Sequence, residues 1–182
     1  MVCKRREQRS EEIFLSAVYG RPNSAGRQDL WAQIRSLRTS TRGPWLLAGD
    51  FHSILSPQDR KGGAQFQVAR TRAFRSCVDD SGLIDVGFSG PRYTWKRGNL
   101  FQRLDRALSN KQWLTSFPNT DVRHLERMGS DHRPILVSAE LSVQRGRNAR
   151  LFRFLAPWIA HEDFGRIMQE SWQGGMVLPQ AL

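Results

Sequence analysis

The sequence predicts a mixed α/β layered sandwich. Short apolar runs with strand character alternate with two amphipathic helical segments, and two further strand-like runs flank a short basic turn, as in a hairpin. A sheet made only of parallel strands needs a long crossover between each pair of strands and contains no hairpin. Crossovers and a hairpin together therefore favour a sheet of mixed strand direction with helices packed against it.

The first half of the chain predicts three strands and two helices. Each strand is a short apolar run beside turn residues, and each helix is a segment whose apolar residues recur every three or four positions. Gly82 ends the second helix, because glycine readily adopts the conformation that terminates helices. A polar loop occupies 56–64. In chain order, the predicted elements span 13–19, 27–40, 45–48, 65–81 and 83–86.

The second half predicts the hairpin, a short helix and two more strands. The hairpin strands are Tyr93–Trp95 and 100–108, on either side of the basic turn Lys96–Asn99. Ser109 is placed to cap the short helix, since a serine side chain can accept a hydrogen bond from the first helical turn. The last two strands are predicted at 121–127 and 135–141.

Composition changes at both ends of this region. The segment 1–12 is charged and lacks a strand pattern, so a solvated terminus is expected there, with Arg5, Arg6 and Arg9 frayed. The segment 143–182 begins with a basic stretch poor in core residues and continues into a helical pattern at 161–172. The predicted organisation is a charged terminus at 1–12, a domain at 13–142, and a linker with a tail helix at 143–182.

Charge and composition indicate a globular protein with a polyanionic partner. Apolar residues make up 39% of the chain, the formal net charge is +11, and arginine supplies 24 of the 28 basic residues. This balance favours nucleic acid first and an anionic membrane surface second. The two cysteines lack metal-ligand spacing, and no segment has the apolar length of a signal peptide core or a membrane span. We therefore expect a soluble intracellular protein.

Acidic residues lie where strand ends can deliver side chains to a cleft. Asp50 directly follows the buried strand at 45–48, and Asp131 and His132 lie in the loop that feeds the strand at 135–141. Each feature alone has an ordinary interpretation. Asp131 and His132 could form a plain surface turn, Asp105 could be half of a surface ion pair, and Tyr19 could be a rim aromatic residue. His124 and His161 suggest no role.

As an ordered set, these motifs resemble the endonuclease/exonuclease/phosphatase superfamily, and most closely the endonuclease domain of plant LINE-type (non-LTR) retrotransposons. The resemblance covers roughly 13–141, and the segment after it resembles the connection to a reverse transcriptase. It implies a four-layered α/β/β/α sandwich of the deoxyribonuclease I type. The motifs are Tyr19 with Asn23, Gly49-Asp50-Phe51-His52, Tyr93-Thr94-Trp95, Arg103-Leu104-Asp105-Arg106 and Ser130-Asp131-His132.

The resemblance also implies an activity, which is Mg²⁺- or Mn²⁺-dependent hydrolysis of DNA phosphodiesters in the nucleus. It assigns Asp50 to the attacking water and His132 to the scissile phosphate, and it assigns Asp105 to holding the imidazole of His132 in its productive tautomer. Asp131 would bind the metal, because Mg²⁺ uses one or two carboxylates. The residues that would contact phosphate or DNA are Tyr19, Asn23, Thr94, Lys96 and Arg97.

The chain departs from the family pattern at two places. His52 stands where the family has an asparagine that helps to fix water and phosphate, and an imidazole differs from an amide in shape and possible charge. The N-terminal half-sandwich, with its asparagine and metal-binding glutamate, is largely missing, and Glu7, Glu11 and Glu12 are not assigned that role. We therefore expect a truncated fragment with uncovered apolar faces and weak or no activity.

Two other functions compete with this interpretation. A non-catalytic nucleic-acid-binding remnant would explain the charge and the altered motif without any chemistry. A phospholipid or inositol phosphate hydrolase would keep the superfamily but change the substrate, although the YTW and RLDR motifs argue against it. Binding that is steep in salt and insensitive to Mg²⁺ would favour the first alternative.

Overall fold

The computed structural model describes residues 2–8, 11–65, 68–140, 165, 166 and 169. The chain divides into two units, Met1–Asn148 and Ala149–Leu182. In the second unit the three described residues are helical, and the predicted linker and tail helix otherwise lie outside the described residues. None of the helices in the described ranges combines the length and apolarity that crossing a bilayer requires.

The first unit contains strands and helices in an alternating order. The strands are β1 (Val2–Gln8), β2 (Glu11–Tyr19), β3 (Trp45–Asp50), β4 (Arg60–Lys61), β5 (Ile84–Asp85), β6 (Trp95–Arg97), β7 (Leu100–Gln102), β8 (Asp105–Ser109), β9 (Asp121–His124) and β10 (Ile135–Ser138). The α-helices are α1 (Ser24–Ser40), α2 (Arg72–Asp80) and α3 (Lys111–Ser116). Short 3₁₀ turns occupy Pro57–Asp59 and Val68–Thr71.

The main sheet has five strands of mixed direction, in the order β1-β2-β3-β8-β5. Strands β2 and β3 are parallel and are joined through α1, whereas the other neighbouring pairs are antiparallel. Two smaller sheets, β10-β9 and β4-β7-β6, complete the described strands. The predicted mixed α/β class is confirmed, because a helical crossover and hairpin pairing occur in one structure.

Each face of the main sheet carries its own apolar core. Along β3, Trp45 and Leu47 belong to a cluster with the apolar residues of α1 and α2, while Leu46 belongs to a cluster with Trp113 of α3 and Val122 of β9. This alternation follows from the two-residue period of a strand, which sends successive side chains to opposite faces. The helices α1 and α2 therefore cover one face of the sheet, and α3 with the β9–β10 pair lies on the other.

Among the residues that the structure describes, none covers the second face over part of β2. A groove of about 510 Å³ there is lined by side chains of β2, β3, α3 and β10, and Leu15 is 37% exposed. This groove is an apolar surface that the described residues leave open to solvent. Exposed apolar surface of this kind favours self-association, since it is stabilised when it leaves water.

The expectation that Arg5 and Arg6 lie in a frayed terminus is wrong, whereas Arg9 lies outside the described residues. Strand β1 pairs antiparallel with β2 from Val2↔Ala17 to Gln8↔Glu11, so Arg5 and Arg6 are strand residues. An edge strand is held by backbone hydrogen bonds and commonly carries charged side chains, so an apolar pattern is not required. Glu7, Glu11 and Glu12 therefore lie on strands, while their part in metal binding stays untested.

Three predicted elements differ in their detail. The helix expected at 65–81 is a 3₁₀ turn followed by α2, and the hairpin return expected at 100–108 is split into β7 and β8, which belong to different sheets. The predicted cap at Ser109 is wrong, because Ser109 is the last residue of β8. Asn110 caps α3 instead, and its Oδ1 accepts hydrogen bonds from the backbone N–H of Trp113 (2.8 Å) and of Trp45 (3.0 Å).

Candidate active site

Strand pairing brings three of the predicted site residues into one row. In the register of β2, β3 and β8, Tyr19 pairs with Asp50 and Asp50 pairs with Asp105. Tyr19 and Asp50 are the last residues of their strands and Asp105 is the first residue of β8. Since β2 and β3 are parallel and β8 is antiparallel to them, all three side chains lie at the same edge of the sheet.

Two glycines allow the backbone to pack closely at this edge. Gly49 has φ +140°, and a Cβ on it would lie 2.1 Å from the carbonyl oxygen of Val18. A Cβ on Gly20 would lie 2.5 Å from the carbonyl oxygen of Phe51. Only glycine avoids both contacts, so the Gly-Asp sequence before Phe51 has a structural reason.

His132 reaches the row from the loop that precedes β10. Its Nδ1 lies 2.9 Å from Oδ2 of Asp105, and its Nε2 lies 3.9 Å from Oδ2 of Asp50. An ionised carboxylate can only accept, so Nδ1–H of His132 donates to Asp105 and Nε2 faces the open side of the site. The structure therefore brings together the two residues that the sequence analysis paired.

The loop that carries His132 is attached to the hairpin strand β6. The backbone N–H of Lys96 donates to the carbonyl oxygen of Asp131 (3.0 Å), and the N–H of Arg133 donates to that of Thr94 (2.7 Å). The indole Nε1–H of Trp95 donates to Oδ2 of Asp131 (2.8 Å) and is the main cause that lowers the pKa of that carboxyl. Trp95 thus fixes the loop, a role that the YTW pattern alone does not reveal.

His52 contacts Asp50 through both its backbone and its side chain. The N–H of His52 donates to Oδ1 of Asp50 (2.7 Å), and Nε2 of His52 lies 2.9 Å from Oδ2. His52 is the non-glycine residue with positive φ in the described chain, at +47°, a conformation that asparagine and histidine tolerate better than most residues. Tyr19, which is 75% exposed, places its ring edge-on to the imidazole at 5.8 Å.

Burial perturbs the acid at the centre of this group. Desolvation raises the pKa of Asp50 above its usual 3.8, and the hydrogen bond from the His52 backbone and the nearby imidazoles offset only part of that effect. The side chain of Asp50 is 9% exposed. A carboxyl with a raised pKa is a better proton acceptor than an ordinary aspartate once it is ionised.

The predicted contact between Thr94 and phosphate stays untested. Thr94 is fully buried, and its hydroxyl oxygen accepts hydrogen bonds from the backbone N–H groups of Leu104 and Asp105, both at 3.0 Å. Thr94 therefore holds the start of β8, and with it the carboxylate that contacts His132.

The remaining predicted DNA contacts lie on the surface. Asn23 is exposed and caps α1, because its Oδ1 accepts from the N–H of Gly26 at 2.6 Å. Lys96 and Arg97 are exposed on β6 where it enters the hairpin turn, and the Lys96 ammonium lies 5.2 Å from the centre of the Phe101 ring. Their positions are compatible with a polyanionic ligand, and their part in binding one remains a prediction.

Arg103 and Arg106, the arginines of the RLDR motif on either side of Asp105, belong to a buried network of ion pairs. Arg106 is fully buried, with Nη1 2.7 Å from Oδ2 of Asp85 and Nη2 3.0 Å from Oδ2 of Asp59. Arg103 donates to the other oxygen of Asp85 at 2.8 Å. Although burial alone would raise the pKa of Asp85, the two guanidinium groups outweigh it and lower that pKa. The RLDR motif therefore contributes a scaffold as well as Asp105.

The donor set of the site fits a divalent metal. Asp50, Asp105 and His132 each offer one ligand atom, and these atoms lie within 4.8 Å of one another. Two carboxylates with a partly exposed imidazole beside them match a hard cation that keeps several of its waters. Asp131, the predicted ligand, is not a member of this group; its carboxylate is exposed and accepts the hydrogen bond from the Trp95 indole, and its metal-binding role stays a prediction.

A match to a known protein family covers most of the first unit. The family described as Endonuclease/Exonuclease/phosphatase matches residues 5–132. This chain belongs to the endonuclease/exonuclease/phosphatase family, whose members are divalent-metal dependent. A search of curated protein sequences found no match.

Solved structures show the same fold. The 3'-5' exonuclease NExo from Neisseria meningitidis is 21% identical, with a TM-score of 0.55 over 71% of this chain and 61% of that chain. The endonuclease domain of TRAS1, a telomere-specific non-LTR retrotransposon, is 18% identical, with a TM-score of 0.58 over 78% of this chain and 64% of that chain. The match thus spans less than two thirds of either relative and confirms the deoxyribonuclease I-like fold.

Proposed function

We propose that this chain is a DNA endonuclease domain derived from a plant LINE-type retrotransposon, with weak activity. The observation that carries the proposal is the group formed by Asp50, Asp105 and His132 in a member of this family. The ordered motifs support the retrotransposon origin. The 3' phosphatase NExo from Neisseria has been solved with a product DNA hairpin, and the net charge of +11 suits the same kind of ligand here. A DNA substrate would place the protein in the nucleus.

The reaction is hydrolysis of a phosphodiester. Oδ2 of Asp50 orients the attacking water and accepts its proton as the water oxygen forms a bond to phosphorus. In its doubly protonated form, His132 donates Nδ1–H to Asp105 and Nε2–H to a phosphate oxygen, which stabilises the charge that develops there. The bond from phosphorus to the leaving oxygen breaks, and that oxygen takes a proton from water. Tyr19 lies at the rim, where its hydroxyl can contact phosphate.

A bound Mg²⁺ or Mn²⁺ would neutralise charge on the phosphate and the leaving oxygen. Asp50 and Asp105 are the carboxylates in the described group that could hold it, with the exposed Asp131 next to His132 as a further oxygen donor. Hydrogen bonding from Trp95 keeps Asp131 ionised to lower pH, because it lowers the pKa of that carboxyl. Ionised oxygen ligands are those that such a cation prefers.

Weak activity is expected because His52 engages the catalytic carboxylate. Nε2 of His52 contacts Oδ2 of Asp50, which is the oxygen that also faces His132. A water that Asp50 is to activate must compete with this contact. An amide at this position, as in the family pattern, is shorter and uncharged.

Nicking of supercoiled plasmid DNA tests the proposal. We expect slow, Mg²⁺-dependent nicking that Asp50→Ala and His132→Ala each abolish, while Asp29→Ala, a change at an exposed acid on α1, keeps the wild-type rate. Circular dichroism confirms that each variant is folded. Nicking that survives both site substitutions, or none with Mg²⁺ or Mn²⁺ for either the wild type or His52→Asn, would show the proposal to be wrong.

A non-catalytic nucleic-acid-binding protein is the second candidate, favoured by the net charge and by the His52–Asp50 contact. Filter binding across salt concentrations measures how many phosphates the protein neutralises. Affinity that falls steeply with salt, ignores Mg²⁺ and survives Asp131→Ala, together with no nicking, would favour this candidate. We expect Lys96→Gln and Arg97→Gln each to reduce the salt slope by about 1 if these side chains contact phosphates.

A further inference from the structure

Two imidazoles and one carboxylate meet on the open side of the site. We propose that Asp50, His52 and His132 bind a transition-metal ion of the Zn²⁺ type, in a site that shares Asp50 with the oxygen-rich site proposed for Mg²⁺ and adds the imidazole of His52. The binding stands on the geometry of these three side chains. Its effect on activity, inhibition by zinc, rests on the proposed function.

The distances from the carboxylate oxygen to the two imidazoles fit a small tetrahedral ion. Oδ2 of Asp50 is 2.9 Å from Nε2 of His52 and 3.9 Å from Nε2 of His132. Bonds of about 2.0–2.1 Å to a tetrahedral zinc place neighbouring ligand atoms roughly 3.3 Å apart, and the two distances bracket that value. The imidazole centroids are 6.2 Å apart, so the two rings must move closer together to share one ion.

The three ligand atoms are oriented for binding. Asp105 accepts Nδ1–H of His132 at 2.9 Å, which leaves the Nε2 lone pair directed at the site. A carboxylate that holds the far nitrogen of a ligating histidine is the usual outer support of zinc centres. Oδ1 of Asp50 accepts the N–H of His52 at 2.7 Å, so Oδ2 is the oxygen that remains for the ion.

The site also has an open coordination position. The side chains of His52 and His132 are 21% and 26% exposed, whereas that of Asp50 is 9% exposed. A tetrahedral ion with three protein ligands therefore keeps a fourth position that faces solvent. The two partly exposed imidazoles can adjust around the more buried carboxylate.

The chemistry of the donors selects the metal. Imidazole nitrogen suits Zn²⁺, Co²⁺, Ni²⁺ and Cu²⁺, whereas Mg²⁺ prefers carboxylate, carbonyl and water oxygens. His52 shifts the metal preference of the group toward these ions, because an asparagine at position 52 would leave His132 as its one imidazole. The same ion would occupy Oδ2 of Asp50 and Nε2 of His132, the atoms on which the proposed reaction depends, so zinc should inhibit nicking.

Cobalt titration tests the binding, since tetrahedral Co²⁺ absorbs visible light. We expect the full-length chain to bind Co²⁺ with an intense visible spectrum that Zn²⁺ removes by displacement. His52→Asn and His132→Asn should each weaken affinity at least about 100-fold, because even outer partners of a ligand cost 10–100-fold. His161→Asn, the same chemical change at the fourth histidine, should retain the wild-type affinity.

A second measurement does not depend on colour or activity. Zn²⁺ that binds the folded chain raises its Tm, and we expect this rise in the wild type and in His161→Asn but not in His52→Asn. Co²⁺ affinity or a zinc-dependent Tm rise that survives in a folded His52→Asn/His132→Asn double variant would overturn the proposal. So would the lack of Co²⁺ binding by the wild type.

Failure of this proposal can be told apart from failure of the proposed function. Mg²⁺-dependent nicking without Co²⁺ binding would leave the endonuclease proposal standing and remove the zinc site. Co²⁺ binding at His52 and His132 without nicking under any metal would do the reverse. Inhibition of nicking by Zn²⁺ in the wild type but not in His52→Asn would support both.

Discussion

Nε2 of His52 lies 2.9 Å from Oδ2 of Asp50, the carboxylate oxygen that is also 3.9 Å from Nε2 of His132. One oxygen atom therefore faces two imidazoles and the space in which a water would attack. The resemblance to the family predicts an asparagine at this position, so the contact depends on a residue in which this sequence departs from that pattern. Its chemical consequences can be measured by single substitutions.

Replacing His52 with asparagine should raise the nicking rate about tenfold or more. The amide frees Oδ2 of Asp50, and asparagine tolerates the positive φ of +47° at this position. Initial rates on supercoiled plasmid at saturating Mg²⁺ measure the effect. His52→Ala is the control, because it removes the imidazole without supplying an amide and should give a smaller gain. An unchanged or lower rate in His52→Asn would contradict the interpretation.

Asp50→Asn should stabilise the fold while it removes activity. Burial raises the pKa of Asp50 above 3.8, so between 3.8 and the folded-state pKa the folded chain binds more protons than the unfolded chain. The free energy of unfolding therefore falls as the pH rises through that window, and ionised Asp50 is a cost at pH 7. We expect a Tm roughly 2 °C higher at pH 7. The difference should shrink as the pH falls toward 3.8, and a difference that grows would refute this account.

Asp85→Asn should destabilise the domain by about 3 kcal/mol, because it replaces one of the two carboxylate partners of the buried Arg106 guanidinium with an uncharged amide. The lowered pKa of Asp85 means that its contribution is present above pH 3.8 and is lost as the pH falls through the folded-state pKa. Urea unfolding at several pH values measures both effects. Asp80→Asn is the matched control, since Asp80 pairs with Arg35 at the surface and its loss should change little.

Trp95→Phe should raise the Mg²⁺ concentration needed for half-maximal nicking severalfold. The phenyl ring keeps most of the packing but cannot donate to Asp131, whose pKa should then rise toward its ordinary value. Trp113→Phe is the matched control, because it removes an indole hydrogen bond to Thr120 in the core. We expect Trp113→Phe to lower the Tm without changing the Mg²⁺ requirement, and equal Mg²⁺ requirements in both variants would argue against a positioning role for Trp95.

Local patterns in the sequence predicted the central elements well. The apolar run before Gly20 and the helical spacing from residue 27 correspond to β2 and α1, because burial of one face dictates both patterns. Strand β1 was not predictable in this way, since its pairing depends on backbone hydrogen bonds to β2. Pairing between distant strands is set by the whole sheet, which local spacing does not encode.

The candidate site shows the same division. The ordered motifs paired Asp105 with His132, and the structure places them 2.9 Å apart. The motif could not show that Thr94 is buried behind Asp105. Side chains alternate along the predicted strand Tyr93–Trp95, but three residues do not tell which face of the strand is covered. Nor could the motif show that Trp95 donates to Asp131 across two chain segments.

The row formed by Tyr19, Asp50 and Asp105 restricts which changes in sequence length the fold can tolerate. Because side chains alternate along a strand, insertion or deletion of one residue in β2, β3 or β8 would rotate its terminal side chain to the opposite face. Substitutions can accumulate in these strands without dismantling the row, but changes of length cannot. The turn at Gly98, where an added Cβ would meet no atom within 4 Å, is where length variation among descendants of this sequence should collect.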